Sequence, residues 1–169
     1  TGLGAAHREE IAEGAVVLQL QGGDAAGLAL RRLLGGQPGV LVVELVAQAV
    51  ELGIDAVDIG LPGAGPHVVE SVLELAREIV DQDLPIQPNC AARTLRRDIE
   101  PVVEISQKVG APIEVACFLG SSPIRQYAEA WDIDHILRVS EEAVRFAVAE
   151  GLDVMYVTED TVRSSPEHL

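Results

Sequence analysis

The sequence predicts an α/β fold of the (βα)8 barrel type, with about the first five of its strand–helix units present. Three observations carry that prediction. Short, continuously apolar runs alternate with stretches whose apolar residues recur at helical spacing. Strands apolar on both faces lie under helices, which makes them parallel. The first strand-to-helix turn, "LQGGDAAG", places its glycines at Gly22, Gly23 and Gly27, a poor fit to the G-x-G-x-x-G of a dinucleotide-binding sheet. An open doubly wound sheet is the other architecture the alternation admits, and that turn argues for the barrel.

The elements follow in order. Residues 1–14 read as an irregular or short helical start, and Ala15 to Leu20 as the first strand. Gly35, Gly36, Pro38 and Gly39 then break the chain, so residues 1–39 form a divergent segment holding strand one within a single partial barrel domain of residues 1–169. Val43 to Leu52 has helical periodicity and stops at Gly53, and Asp55 to Gly60 is the second strand. Pro66 opens a helix striped by Val68, Val69, Val72, Leu73, Ala76, Ile79 and Val80. "LPIQPNC" is the third extended segment. The helix after it takes Asp98 as N-cap and Gly110 as stop. "IEVACFLG" is the fourth strand, a helical stretch broken near "AWDID" runs from Ile124 to Glu150, and Asp153 to Val157 reads as a buried fifth strand.

Composition narrows the function classes. Hydrophobic residues make up 48% of the 169, enough for a sizeable core, and aromatics only 3%, so Val, Leu, Ile and Ala fill it. A formal charge of −15 argues against nucleic acid and anionic membranes as partners, because both need clustered Lys and Arg. No run reaches the length of a membrane span and no basic-then-apolar leader is present, so a cytoplasmic protein is the expectation. Cys90 and Cys117 sit in apolar runs and read as buried thiols, His67 and His135 as structural or solvated, and Trp131 as a packing anchor.

Parallel α/β folds bind ligands at the carboxyl ends of their strands. Those ends carry Asp58, then Asn89 and Arg93, then Ser121 and Ser122, then Thr158, Glu159, Asp160, Thr161 and Arg163. An arginine clamp, a carboxylate able to exchange protons and a set of hydroxyls suit a small oxyanionic substrate. A structural alternative stands beside each. Asp58 caps the next turn, Ser121 and Ser122 cap the following helix, and Glu159 pairs with Arg163.

From about Val40 to Leu169 the segments "LGIDAVDIGLPGAGP", "NCAARTLRRDIEP", "FLGSSPIRQYAE" and "GLDVMYVTEDTVRSSPE" resemble, in this order, the N-terminal part of the isopropylmalate synthase, homocitrate synthase and hydroxymethylglutaryl-CoA lyase family. The resemblance implies a (βα)8 barrel. Its synthases condense acetyl-CoA, the co-substrate, with a small-molecule 2-oxo acid at a divalent metal. Carried over by position, Asp58 matches an acidic residue near the substrate and Arg93 the arginine of the strand-three loop. Ser121 and Ser122 match pocket-lining hydroxyl residues, Thr161 falls within the substrate-binding set, and Glu159 matches a substrate-site glutamate with a catalytic acid–base role. Ala116 stands where many members carry histidine.

Two departures bear on function. The family's strand one ends in Leu-Arg-Asp-Gly-Glu-Gln, whose arginine holds the substrate carbonyl and whose aspartate binds the metal. Here "LQGGDA" puts Gln21 and Gly22 at those places, and aligning "RLLGGQ" instead keeps Gln37 but puts Leu33 and Leu34 there. The family's His-x-His metal pair belongs to a strand beyond the fifth. With Asp24 the one carboxylate near the first strand end, the divalent metal expected of the family is not expected of this chain alone. Two function classes follow. One is a fragment or subunit of an acyltransferase condensing acetyl-CoA with a 2-oxo acid, working as a homo-oligomer or with a complementing chain. The other is a degenerate, non-catalytic homologue that binds a small carboxylate or an active partner chain.

Overall fold

The predicted helix stops at Gly53, Gly110 and Gly151 take the left-handed backbone that ends a helix without a Cβ clash, at φ of 73°, 70° and 83°. This is a computed structural model, and it describes Val46 and residues 48–169. Strand one, Gln21, Gly22, Asp24, Leu33, Leu34, Gln37 and the break at residues 35–39 lie outside the described residues.

Helical residues at Val46 and 48–51 lead into β1, Ala56–Asp58, the second strand of the sequence reading. A 3₁₀ turn, Pro62–Ala64, and α1, Pro66–Asp81, follow. Next come β2, Gln87–Arg93, and α2, Arg96–Val109. After β3, Glu114–Gly120, the predicted break divides the helical stretch into α3, Pro123–Glu129, and α4, Ile133–Ala149. The chain then forms β4, Val154–Glu159, and 3₁₀ turns at Thr161–Arg163 and Pro166–His168.

Among the described residues the four strands pair in parallel, in the order β1-β2-β3-β4. A doubly wound sheet would reverse direction at a switch point. A strictly consecutive order with right-handed crossovers keeps every helix on one face and is the order of a barrel wall.

Side chains alternate between the two faces. Val57, Cys90, Ala92, Val115 and Cys117, each 0% exposed, pack against the helices. There they meet Val72, Leu75, Ala76 and Ile79 of α1, Ile99, Val102 and Ile105 of α2, and Ala143 and Ala147 of α4. Each fully buried Val or Ile stabilises the fold by about 1.5–3 kcal/mol. The register places Asp58, Asn89, Ala91, Arg93, Ala116, Phe118, Val157 and Glu159 on the opposite face. Cys90 and Cys117 are free, buried thiols as expected. Burial pushes both upward, Cys117 to about 11.

Two expectations need correction. Asp98 is not the N-cap of α2, since Leu95 holds that position and Asp98 lies in the first turn, 1% exposed. The last strand is not fully buried. Its residues are half-buried and Tyr156 is 41% exposed, because β4 pairs on one side with β3 and is the edge of the described sheet. Trp131, read as a packing anchor, is half-buried with its ring beside His135 and the Arg125 guanidinium.

Candidate functional site at the carboxyl ends of the strands

Parallel pairing brings the ends of all four strands to one rim. Asp58 is the last residue of β1, Arg93 of β2 and Glu159 of β4, while Ser121 and Ser122 directly follow β3. Asp58 lies opposite Asn89 in the β1–β2 register. Its Oδ1 accepts the Gly60 N–H at 2.9 Å, the local cap that was the structural alternative for this residue. Burial raises the Asp58 carboxyl above its ordinary range, and the N–H groups of Gly60 and Ala91 offset part of that.

Arg93 does not stand free. Its Nε and Nη2 both donate to Asp98, the Nη2 bond at 3.0 Å to Oδ1, in a fork matched to a carboxylate. Asp98 also lies 3.8 Å from the Arg97 Nε and gains from its place at the positive end of α2. Above it passes the turn after β1. A Cβ on Gly63 would sit 2.7 Å from the Asp98 carboxyl carbon, so only glycine lets the turn come this close. The Arg93 side chain is 47% exposed, whereas that of Asp98 is 1% exposed.

The β3–β4 end is built differently. Ser122 caps α3, its Oγ accepting the Arg125 N–H at 3.4 Å, while the Ser121 Oγ donates to the His168 carbonyl at 3.3 Å. The expected Glu159–Arg163 pair is absent because Arg163 donates to Asp160 instead. Arg163 and the Ser122 hydroxyl together hold the Asp160 carboxyl below its ordinary range. Thr161 is committed to the turn, bonded to Thr158 Oγ1 at 2.9 Å. A cleft of about 490 Å³ opens here, bordered by Ser122, Arg125, Glu129, Glu159, Asp160 and Arg163. The Nε of Arg125 is buried at its edge without an acceptor among the described residues.

The structure thus brings Ser122 and Glu159 to one cleft. Asp58 and Arg93 stand at neighbouring strand ends on the same rim and do not border it. Sequence reasoning missed Asp98 and Arg125. An Asp in a first helical turn reads as a dipole partner, and nothing local marks that an arginine five residues earlier folds back onto it. Among the described residues no three His, Cys, Asp or Glu side chains converge as metal ligands. Asp58 is turned onto its own turn and Ala116 offers no donor, so the described residues do not by themselves fit the divalent ion of the family.

Consecutive parallel strands, helices on one face and polar side chains gathered at the carboxyl rim define a barrel-type α/β protein, and the candidate site lies at the strand ends. The HMGL-like family profile matches residues 41–169, and the chain belongs to that family. Among curated relatives, it is 32% identical over 129 residues to a 2-isopropylmalate synthase of Methylacidiphilum infernorum, covering 75% of this chain and 24% of that protein. A 2-isopropylmalate synthase of Lactococcus lactis subsp. cremoris is 28% identical over 138 residues, 78% of this chain and 26% of that protein. One from Sulfolobus acidocaldarius is 26% identical over 128 residues, covering 75% and 31%. The chain therefore spans between 24% and 31% of the length of these relatives. None of the helices described is long and apolar enough to cross a membrane.

Proposed function

We propose that these residues form the 2-oxo-acid-binding rim of an acyltransferase that joins the acetyl group of acetyl-CoA to a 2-oxo acid. The observation that carries this reading is the parallel register, which lines up Asp58, Arg93, Ser122 and Glu159 at the same ends of four adjacent strands. The names of the relatives agree with it.

In this reading the Arg93 guanidinium binds the substrate carboxylate with the N–H groups that Asp98 leaves free. Glu159, half-buried at the cleft, takes a proton from the acetyl methyl group, and the resulting carbon attacks the 2-oxo carbonyl carbon. A carbon–carbon bond forms and the carbonyl oxygen takes up a proton. Water then cleaves the thioester, giving a carboxylic acid and free coenzyme A. Asp58, Ser121, Ser122 and Thr161 shape the rim. The partner is a second copy or a complementing chain.

The test is calorimetry with 2-oxoisovalerate, 2-oxoglutarate and pyruvate on the chain and its Arg93→Gln variant, beside a thiol-release assay with acetyl-CoA. Binding of one 2-oxo acid, lost in the variant, supports the reading. Equal affinity in both proteins sinks it. A second reading, a non-catalytic carboxylate binder, is favoured by Ala116, which lies beside Met155 in the register and carries no proton-exchanging group. Carboxylate binding without thiol release, alone and with a complementing barrel half, would favour it.

A further inference from the structure

We infer that Asp98 is the positioning residue of the rim, holding Arg93 edge-on so that the guanidinium presents its outer pair of N–H groups to a ligand carboxylate. The inference rests on the reading of Arg93 as a carboxylate clamp. The geometry comes from three facts. The Arg93 Nε and Nη2 both bond to Asp98, which commits one edge of the planar guanidinium. Arg has five N–H donors, so Nη1 and the second Nη2 hydrogen remain, directed away from Asp98 in the fork that suits a second carboxylate. Asp98 itself cannot move aside. It is 1% exposed, set in the first turn of α2 and covered by Gly63 at a distance that leaves no room for a Cβ.

The contrast with the cleft sharpens the point. The exposed side chain of Arg93 bonds a buried carboxylate, whereas the buried Nε of Arg125 has no acceptor among the described residues and the exposed Arg163 pairs with a carboxylate that is itself at the surface. Of these three arginines, Arg93 alone has a buried carboxylate behind it. Asp98 also lies between two segments, bonded to the arginine at the end of β2 and packed against Gly63 of the turn after β1. It acts through Arg93 and touches no substrate.

The experiment labels the arginine side chains with ¹⁵N and follows the Nε–H signal of Arg93, assigned through Arg93→Lys, in the chain and in Asp98→Asn. Sodium acetate is the simple carboxylate probe. In the parent chain the Arg93 signal is slow to exchange with water and shifts on acetate addition. In Asp98→Asn it exchanges at least tenfold faster and acetate affinity falls about tenfold, the scale of one charge-assisted hydrogen bond. In the Arg93→Lys background the Asp98→Asn change alters acetate affinity less than twofold. A merely structural Asp98 would weaken binding equally in both backgrounds, and that outcome overturns the inference. So does a fast-exchanging Arg93 signal in the parent chain, or acetate that leaves it unmoved. If Asp98→Asn does not fold, Asp98→Glu keeps the charge, displaces the guanidinium and must still lower acetate affinity. Acetate binding at Arg93 with no response to any 2-oxo acid sinks the proposed function and leaves this inference standing.

Discussion

The two halves of the rim use the same parts and reach opposite results. At the β1–β2 end a guanidinium and a carboxylate meet with the carboxylate sealed under a glycine turn, 47% and 1% exposed. At the β3–β4 end Arg163 and Asp160 meet in a one-turn pair with the side chains 62% and 23% exposed, beside an open cleft. A charge taken out of water has to be paired, so the first pair fixes geometry. A charge left in water is free to exchange partners, so the second pair contributes little stability and leaves the tip adaptable. Parallel topology sets where the polar groups arrive, and burial decides which of them are held still.

That contrast is open to direct measurement by urea unfolding, taking midpoints at constant slope. The largest effect is expected for Arg93→Ala, which strands the buried Asp98 carboxylate and should cost about 3 kcal/mol, the low end for a broken buried pair because one partner reaches solvent. A loss under ~1 kcal/mol would erase the distinction between the halves. Gly63→Ala comes next. Its Cβ would have to displace the Asp98 side chain, and about 2 kcal/mol is expected from that overpacking. Ser122→Ala removes the α3 cap and should cost about 1 kcal/mol. Arg163→Gln, on the exposed pair, should change the midpoint by less than about 0.5 kcal/mol.

The smallest effect is in pH, and its sign differs between the halves. Burial raises Asp58 above its ordinary 3.8, so the folded chain holds that proton more tightly than the unfolded one. Its ionisation therefore lowers stability as pH rises from 3.8 through the raised folded value. Asp160 is displaced downward by Arg163 and Ser122, so what it contributes is present above 3.8 and fades as pH falls through the lowered value. Unfolding midpoints from about pH 3 to 6 should accordingly lose part of their fall with rising pH in Asp58→Asn, and part of their fall with falling pH in Asp160→Asn. The same slope in both variants as in the parent chain would dismiss the electrostatic difference.

Sequence reading reached the strand order better than it reached the pairing of charges. Apolar runs and glycine stops are local signals, and α1, α2, β3 and β4 fell within a residue or two of where those signals put them. The extended segment "LPIQPNC" becomes β2 three residues later than read, starting at Gln87 and running to Arg93, because pairing with β3 extends it beyond its apolar run. The carboxyl ends of the predicted strands supplied the candidate residues at the rim, the family resemblance gave them roles, and parallel pairing explains why they gather there. The partners did not show. Asp98 and Asp160 each win an arginine that sequence spacing left free or gave to Glu159. Those choices depend on where a turn carries the backbone after the strand ends. Asp160, for instance, sits at φ 54°, which swings its carboxylate toward Arg163.

The consecutive strand order has a consequence for synthesis. Each strand pairs with the one made just before it, separated by a single helical unit, so every pairing in the described sheet closes a loop of modest length. A sheet of this kind can grow at one margin while the ribosome is still working, each new unit docking on a finished neighbour and none waiting for a distant strand. The margin of the described sheet while this happens is β4, and a strand at a margin will accept an extended chain that arrives first. How soon a suitable strand reaches it, relative to an unsuitable one, sets the balance between productive folding and aggregation.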